Sequence, residues 1–327
     1  MSEPLTEVEP GHPGQRVVRG TFRSLRVRNF RLFIGGQVLS TVGTWMQLVA
    51  QAWLVLQLTH SGTALGIDTA LQFLPILLLG AWGGLFADRF DNRRIELFTQ
   101  LAYGTLAAVL WILVVTGVVH VWMVYGLSFL TGIVTAIDMP TRQSFYLEMV
   151  GPEHLTNAMS LNTATFTGSR LIGPAVAAAI IAAAGTGPVF LVNAISYLAV
   201  VVALLAMRTS ELRPRARAPR RGGQIRDGLR YVWRTPELRL PLVVMGVVFL
   251  FAYNLMVLLP LLAVRSFGGG AGTYGMLLSL FGAGSLFGAL FMASRVNTAN
   301  LRRLVLLALA VGAMTLALAL APTLPIA

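Results

Sequence analysis

A chain of 327 residues with 56% hydrophobic and 12% charged side chains, at a mean hydropathy of +0.72, carries too little polar surface for a soluble domain. Its formal net charge of +12 would suggest nucleic acid in a soluble protein, but the arginines gather at the borders of apolar runs, the distribution that membrane topology produces. No cysteine or lysine occurs and the four histidines lack metal-ligand spacing, which leaves no disulfide, thiolate site, Walker-type hydrolysis, Schiff-base cofactor or metal, and most enzyme chemistry falls away.

At ~20 apolar residues per bilayer crossing, nine spans are expected, roughly 32–58, 65–86, 95–117, 121–139, 157–184, 189–207, 240–264, 274–294 and 301–321. The fold class is therefore an all-α polytopic membrane bundle. It divides into a tail and juxtamembrane segment (1–31), a six-helix bundle (32–207), a linker (208–239) and three further helices (240–327). Placing the N-terminus in the cytoplasm puts nearly every arginine on that side, except Arg265 in an outer loop and Arg170 within a span. The polar tail is expected to be a cytoplasmic segment and not a cleaved signal, and Phe22, Leu25 and Phe30 interleave with Arg23, Arg26, Arg28 and Arg31 as in a segment lying at the headgroups.

In the first span Gln37, Ser40, Thr44, Gln47 and Gln51 recur at steps of three and four and form one stripe. Such a stripe avoids lipid. It either bonds neighbouring helices or lines a solute pathway. The second span holds Asp68 and Gln72 one turn apart, then Pro75. Asp68 either complements the positive helix N-terminus or carries a coupling proton. Gly80 and Gly84 have the G-x-x-x-G spacing that permits close helix contact. The short loop that follows concentrates charge in Asp88, Arg89, Asp91, Arg93 and Arg94, where the carboxylate and arginines can pair with helix ends and lock one arrangement of the bundle.

The fourth span carries Ser128, Thr131, Thr135, Asp138 and Arg142 on one face, the last two able to pair at i,i+4. In the fifth, Arg170 is either a pathway cation or a structural partner, and Gly173-Pro174 should bend the helix and pack it tightly. The linker starts Pro/Arg-rich, then sets Ile225, Leu229, Val232 and Trp233 against Arg226, Arg230 and Arg234. That pattern suits a helix on the inner leaflet, or a calmodulin-like partner site. Tyr253 and Asn254 make a small polar site in the seventh span, and Gly284 and Gly288 repeat Gly80 and Gly84 at an offset of 204 residues.

The loop Gly84, Asp88, Arg89 and Arg93 resembles the signature between the second and third helices of the major facilitator superfamily, with Asp91 where that pattern has Gly. Asp138-Met139-Pro140-Thr141-Arg142-Gln143, Leu155-Thr156-Asn157-Ala158, Arg170 to Pro174 and Asn193 to Ser196 together resemble its exporter branch, which includes enterobactin-exporter-like and macrolide-efflux-like permeases. The resemblance implies alternating access by two rocking halves, with a gating cluster of Gly84, Asp88, Arg89, Arg93, Asp138 and Arg142. Pathway candidates are Gln47, Gln51, Gln72, Thr135, Asn162, Tyr253 and Asn254; coupling candidates are Asp68 and Arg170. Ser128 stands where the antiporter pattern places arginine, so proton coupling stays open. The expected function is export of a small amphipathic molecule across a bacterial inner membrane. A non-transporting scaffold and a facilitator or importer are the rivals. The repeat offset would end the second half near residue 411, so three spans are expected to be missing, and the chain is expected to need them, or an oligomeric partner, to transport.

Overall fold

The computed structural model describes residues 23–213, 230–252 and 255–295, with scattered helical positions between 306 and 317. A short 3-10 turn, Arg23–Arg26, leads into α1 (Arg28–Thr59), α2 (Gly62–Ala87), α3 (Asn92–Val115), α4 (Val121–Val150), α5 (Pro152–Ala184) and α6 (Gly187–Leu205). After the linker come α7 (Pro236–Ala252), α8 (Leu255–Leu261) running into a π-helical turn Leu262–Ser266, and α9 (Ala271–Arg295). Among the described residues there is no strand, and α1 to α6 are each long and apolar enough to cross a membrane.

Tight turns hold consecutive helices antiparallel. Ser61 caps α2, its Oγ accepting from the Ala64 amide at 3.3 Å, and Asp91 caps α3, accepting from the Arg94 amide at 3.1 Å. Gly151 adopts φ 73°, a left-handed conformation that lets the chain reverse between α4 and Pro152 at the start of α5. The 88–91 turn contains no positive φ, which explains why an aspartate serves at the motif's glycine position: the backbone there is ordinary and the carboxylate is useful as a cap.

Within the six-helix unit α2 lies along α4, α1 along α5 and α6, and α3 along α6, while α9 packs on α5. Half of α1's apolar window is buried against 17% of α2's, so α1 is the central post and α2 a rim helix. At one end of the post, Phe30, Phe33, Phe145 and Tyr146 meet edge to face, with Phe33 and Phe145 centroids 5.5 Å apart at 87°. At the other end Val49, Val55, Leu65, Val124 and Phe190 pack with Leu259 of α8 and Tyr274 of α9.

Several expected boundaries are corrected. The fourth helix does not stop at Met139-Pro140 but runs on to Val150, because Thr141, Phe145, Tyr146 and Met149 bury against the neighbouring helices and outweigh one proline. The seventh span is described as α7 and as α8 leading into a π-helical turn at Leu262–Ser266, while residues 253 and 254 lie outside the described residues. The linker's first residues belong to the bundle: Asn29 exchanges two hydrogen bonds with Arg208 at 2.9 and 3.0 Å, and the Arg213 amide donates to the Glu148 carbonyl at 2.9 Å. Most of the proposed leaflet helix and most of the ninth span lie outside the described residues.

The glycine seams also differ from expectation. Gly80, Gly84, Gly284 and Gly288 face open space among the described residues. Contact is made by nearby glycines instead, where Gly83 lies against the Ala136 carbonyl of α4 and Gly282 against the Arg170 and Leu171 backbone of α5. Gly173, expected in packing, sits against Trp45 and the Val42 carbonyl of α1.

Candidate functional site

The polar stripe of α1 turns toward its helical neighbours, and each glutamine finds a partner on another helix. Gln51 donates to Asp68 of α2 at 2.9 Å and to Ser128 of α4 at 2.8 Å, and the Ser128 hydroxyl donates to the other Asp68 oxygen. Asp68 is 4% exposed. It sits beyond the first turn of α2, whose start is capped by Ser61, so the helix-dipole reading of Asp68 gives way to a three-helix hydrogen-bonded node. Ser128, at the position where an antiporter pattern has arginine, supplies a donor in place of a charge.

One turn along, Asn193 of α6 donates to Gln47 at 2.6 Å. Next comes Thr44, bonded to the Tyr197 hydroxyl at 3.1 Å. Tyr197 stacks on Tyr103 of α3 at 5.3 Å, and the Tyr103 hydroxyl donates to Thr135 of α4 at 2.9 Å. Asn162 accepts from the Tyr146 hydroxyl at 2.7 Å, and Gln72 is half-buried on the α2–α4 seam with its carbonyl over Gly132. Among the described residues, the pathway candidates Gln47 and Gln51 of α1, Thr135 of α4 and Asn162 of α5 each take part in an interhelical hydrogen bond. Tyr253 and Asn254 lie outside the described residues.

The expected gating set separates into three places. Asp88 ends α2 and lines an open cleft of about 380 Å³ with Gly84, Pro140, Gln143, Ser144 and Leu155, and Arg89 is exposed on the same turn. Arg93 reaches instead to α6, donating from Nε to the Leu204 carbonyl at 2.9 Å, beside Arg28, which donates to the Ala206 carbonyl at 3.1 Å. Two guanidinium groups thus cap the negative end of α6. Asp138 and Arg142 form the third place, a buried cluster joined by Glu96 of α3.

In that cluster Arg142 pairs with Asp138 one turn before it, lies 3.8 Å from Glu96, and donates to Gln37 of α1 at 3.3 Å. Asp138 also accepts from the Thr99 hydroxyl at 2.8 Å and from Gln100 at 3.3 Å. Glu96 and Gln100 are fully buried, Thr99 and Asp138 nearly so. Sequence reading passed over Glu96, Thr99, Gln100 and Tyr103 because they open a run otherwise apolar. Their spacing is the signal that could have found them, since it puts all four on one face of α3. Arg170 lies between α1 and α9, its guanidinium carbon 4.3 Å from the Phe281 ring centroid and 5.4 Å from that of Trp45. Among the described residues no three His, Cys, Asp or Glu side chains group as a metal site would need.

A buried ion cluster, a three-helix carboxylate node and a glycine-packed seam between α5 and α9 thus lie inside one multi-pass membrane bundle. The family model described as transmembrane secretion effector matches residues 19–327. The chain is 29% identical over 178 residues to the staphyloferrin A transporter of Staphylococcus aureus, covering 54% of this chain and 45% of that protein. It is 26% identical over 277 residues to the MFS-type transporter YfiS of Bacillus subtilis, covering 82% and 64%, respectively. Identity to macrolide efflux protein A of Streptococcus pyogenes is 23% over 260 residues, covering 79% and 64%. The chain thus spans between 45% and 64% of the length of these curated relatives. This match along nearly the whole chain places the protein in the transmembrane secretion effector family of the major facilitator superfamily.

Proposed function

We propose that the protein is a secondary exporter of small amphipathic molecules, of the siderophore or drug class, in a bacterial inner membrane, and that it is a carrier and not an enzyme. The observation that carries this is the polar post α1. Its side chains bond α2, α4 and α6 in turn, so a bilayer-crossing interior is polar along its length while the outer faces stay apolar. The relatives named for staphyloferrin A and for macrolide efflux indicate the size and character of the cargo.

The arginine distribution supports an N-terminus in the cytoplasm, and with it the Asp88 turn and the cleft beside it on the inner side. Transport proceeds by rocking of the six-helix unit against the helices that follow it, over the α5–α9 seam where Gly282 meets α5. Asp88 and its neighbours stabilise one end state.

Erythromycin accumulation in cells tests the reading. Cells making the protein should hold less labelled drug than cells making its Gly83→Leu variant, which wedges α2 from α4. Equal accumulation in both, with both proteins present in the membrane, would overturn it.

A further inference from the structure

We propose that Glu96 holds a proton beside Asp138 and Arg142, making this buried cluster, and not Asp68, the proton-binding site of the carrier; its role in coupling rests on the transport reading above. The argument starts from the supply of hydrogen-bond donors. Asp138 accepts from Arg142, Thr99 and Gln100. Glu96, completely buried, accepts only from Gln100, at 3.5 Å through Oε2. Its Oε1 has no hydrogen-bond partner among the described residues and stands 3.8 Å from Arg142 Nε, too far for a hydrogen bond. Asp68, by contrast, receives donors on both oxygens.

Charge leads to the same place. The cluster's ionisable groups are Glu96 from α3 and Asp138 and Arg142 from α4. The helix α1 faces them with the neutral Gln37, and the phenols of Tyr103, Tyr146 and Tyr197 complete the surroundings. Two carboxylates and one guanidinium leave one negative charge in excess, and it falls on carboxylates buried at 0% and 3% exposure, where an uncompensated charge is expensive. A proton removes that excess. It also converts Glu96 from an acceptor short of donors into a donor, and Gln100, one turn along, has an Oε1 left without a partner among the described residues to receive it.

The same arrangement offers a route for exchange. Of the charged groups, only Arg142 is partly open to the surface, its side chain 25% exposed against 0% and 3% for the carboxylates. A small movement of α3 against α4 at the already long Arg142–Glu96 separation would uncover the proton beside it. Loss of the proton to water on that side, and its return, is the whole of the chemistry required.

Infrared spectroscopy of the 327-residue protein in lipid tests the site without any need for transport. Wild type at neutral pH should show the C=O stretch of a buried protonated carboxyl, shifted on deuteration. The band should be lost in Glu96→Gln and persist in Asp68→Asn. In Asp138→Asn it should also be lost, since Glu96 then has Arg142 to itself; this second variant guards against misfolding of the first. Absence of the band in wild type, or its persistence at full size in Glu96→Gln, would overturn the proposal. In proteoliposomes, Glu96→Gln should keep erythromycin exchange and lose accumulation driven by a pH gradient, whereas retained driven accumulation overturns the coupling role. A band that behaves as described in a protein that moves no erythromycin supports the site and counts against the transport reading alone.

Discussion

Replacing Gly83 by alanine should destabilise the bundle relative to the same change at Gly80, although the two glycines lie three residues apart on one helix. A Cβ at Gly83 would enter the van der Waals radius of the Ala136 carbonyl oxygen and crowd the Ile137 backbone, and backbone cannot rotate out of the way as a side chain can. At Gly80 the same carbon meets nothing within 4 Å. Both variants gain the helix propensity of alanine over glycine, about 1 kcal/mol, so that gain cancels in the comparison. What remains is the overpacking cost, about 1–3 kcal/mol. At about 2–4 °C per kcal/mol the variants should differ by roughly 2–12 °C in melting temperature. Heating followed by fluorescence-detected size-exclusion chromatography measures this directly. Gly83→Ala melting at or above Gly80→Ala would refute the assignment of the α2–α4 contact to Gly83.

Asp88→Asn removes the charge at the end of α2 while keeping its volume. Because the chain has no cysteine, single cysteines in the outer half can report the change, and wild-type reactivity there would show that Asp88 locks nothing. Asn29→Ala deletes both bonds to Arg208, a loss of about 1–2 kcal/mol, so protease cleavage within 208–213 should speed by roughly 5- to 30-fold; an unchanged rate would mean the strap is held elsewhere. Arg93→Gln loses the charged cap on the Leu204 carbonyl, and hydrogen exchange in the last turn of α6 should quicken while that of α2 does not. Equal protection of α6 in both proteins would return Arg93 to the gate.

The helices of the first half could be read from sequence because each is an uninterrupted apolar run closed by a turn residue, as at Ser61, Asp91 and Gly151. Their ends were harder. Pro140 and the charges after it look like a boundary, yet burial of Phe145 and Tyr146 carries α4 three turns further. The stripe on α1 and the Asp138–Arg142 pair follow from helical periodicity alone. For the third member of the ion cluster, spacing marks Glu96 as part of a polar face of α3, but its approach to Arg142 on another helix is not written in any local spacing. Glycine register fails for a similar reason: G-x-x-x-G marks a face where helices can meet, whereas the neighbour's position decides whether Gly80 or Gly83 meets it. Likewise Arg93, grouped by motif with Asp88, points to α6 because the start of α3 is packed beside that helix's end.

The most direct test of the transport reading is movement of labelled erythromycin by the purified protein in proteoliposomes under an imposed pH gradient, compared with the same vesicles at equal pH. Export coupled to protons predicts accumulation that follows the sign of the gradient and collapses when a protonophore dissipates it. Accumulation no greater than in protein-free vesicles, whichever way the gradient is set, would contradict it.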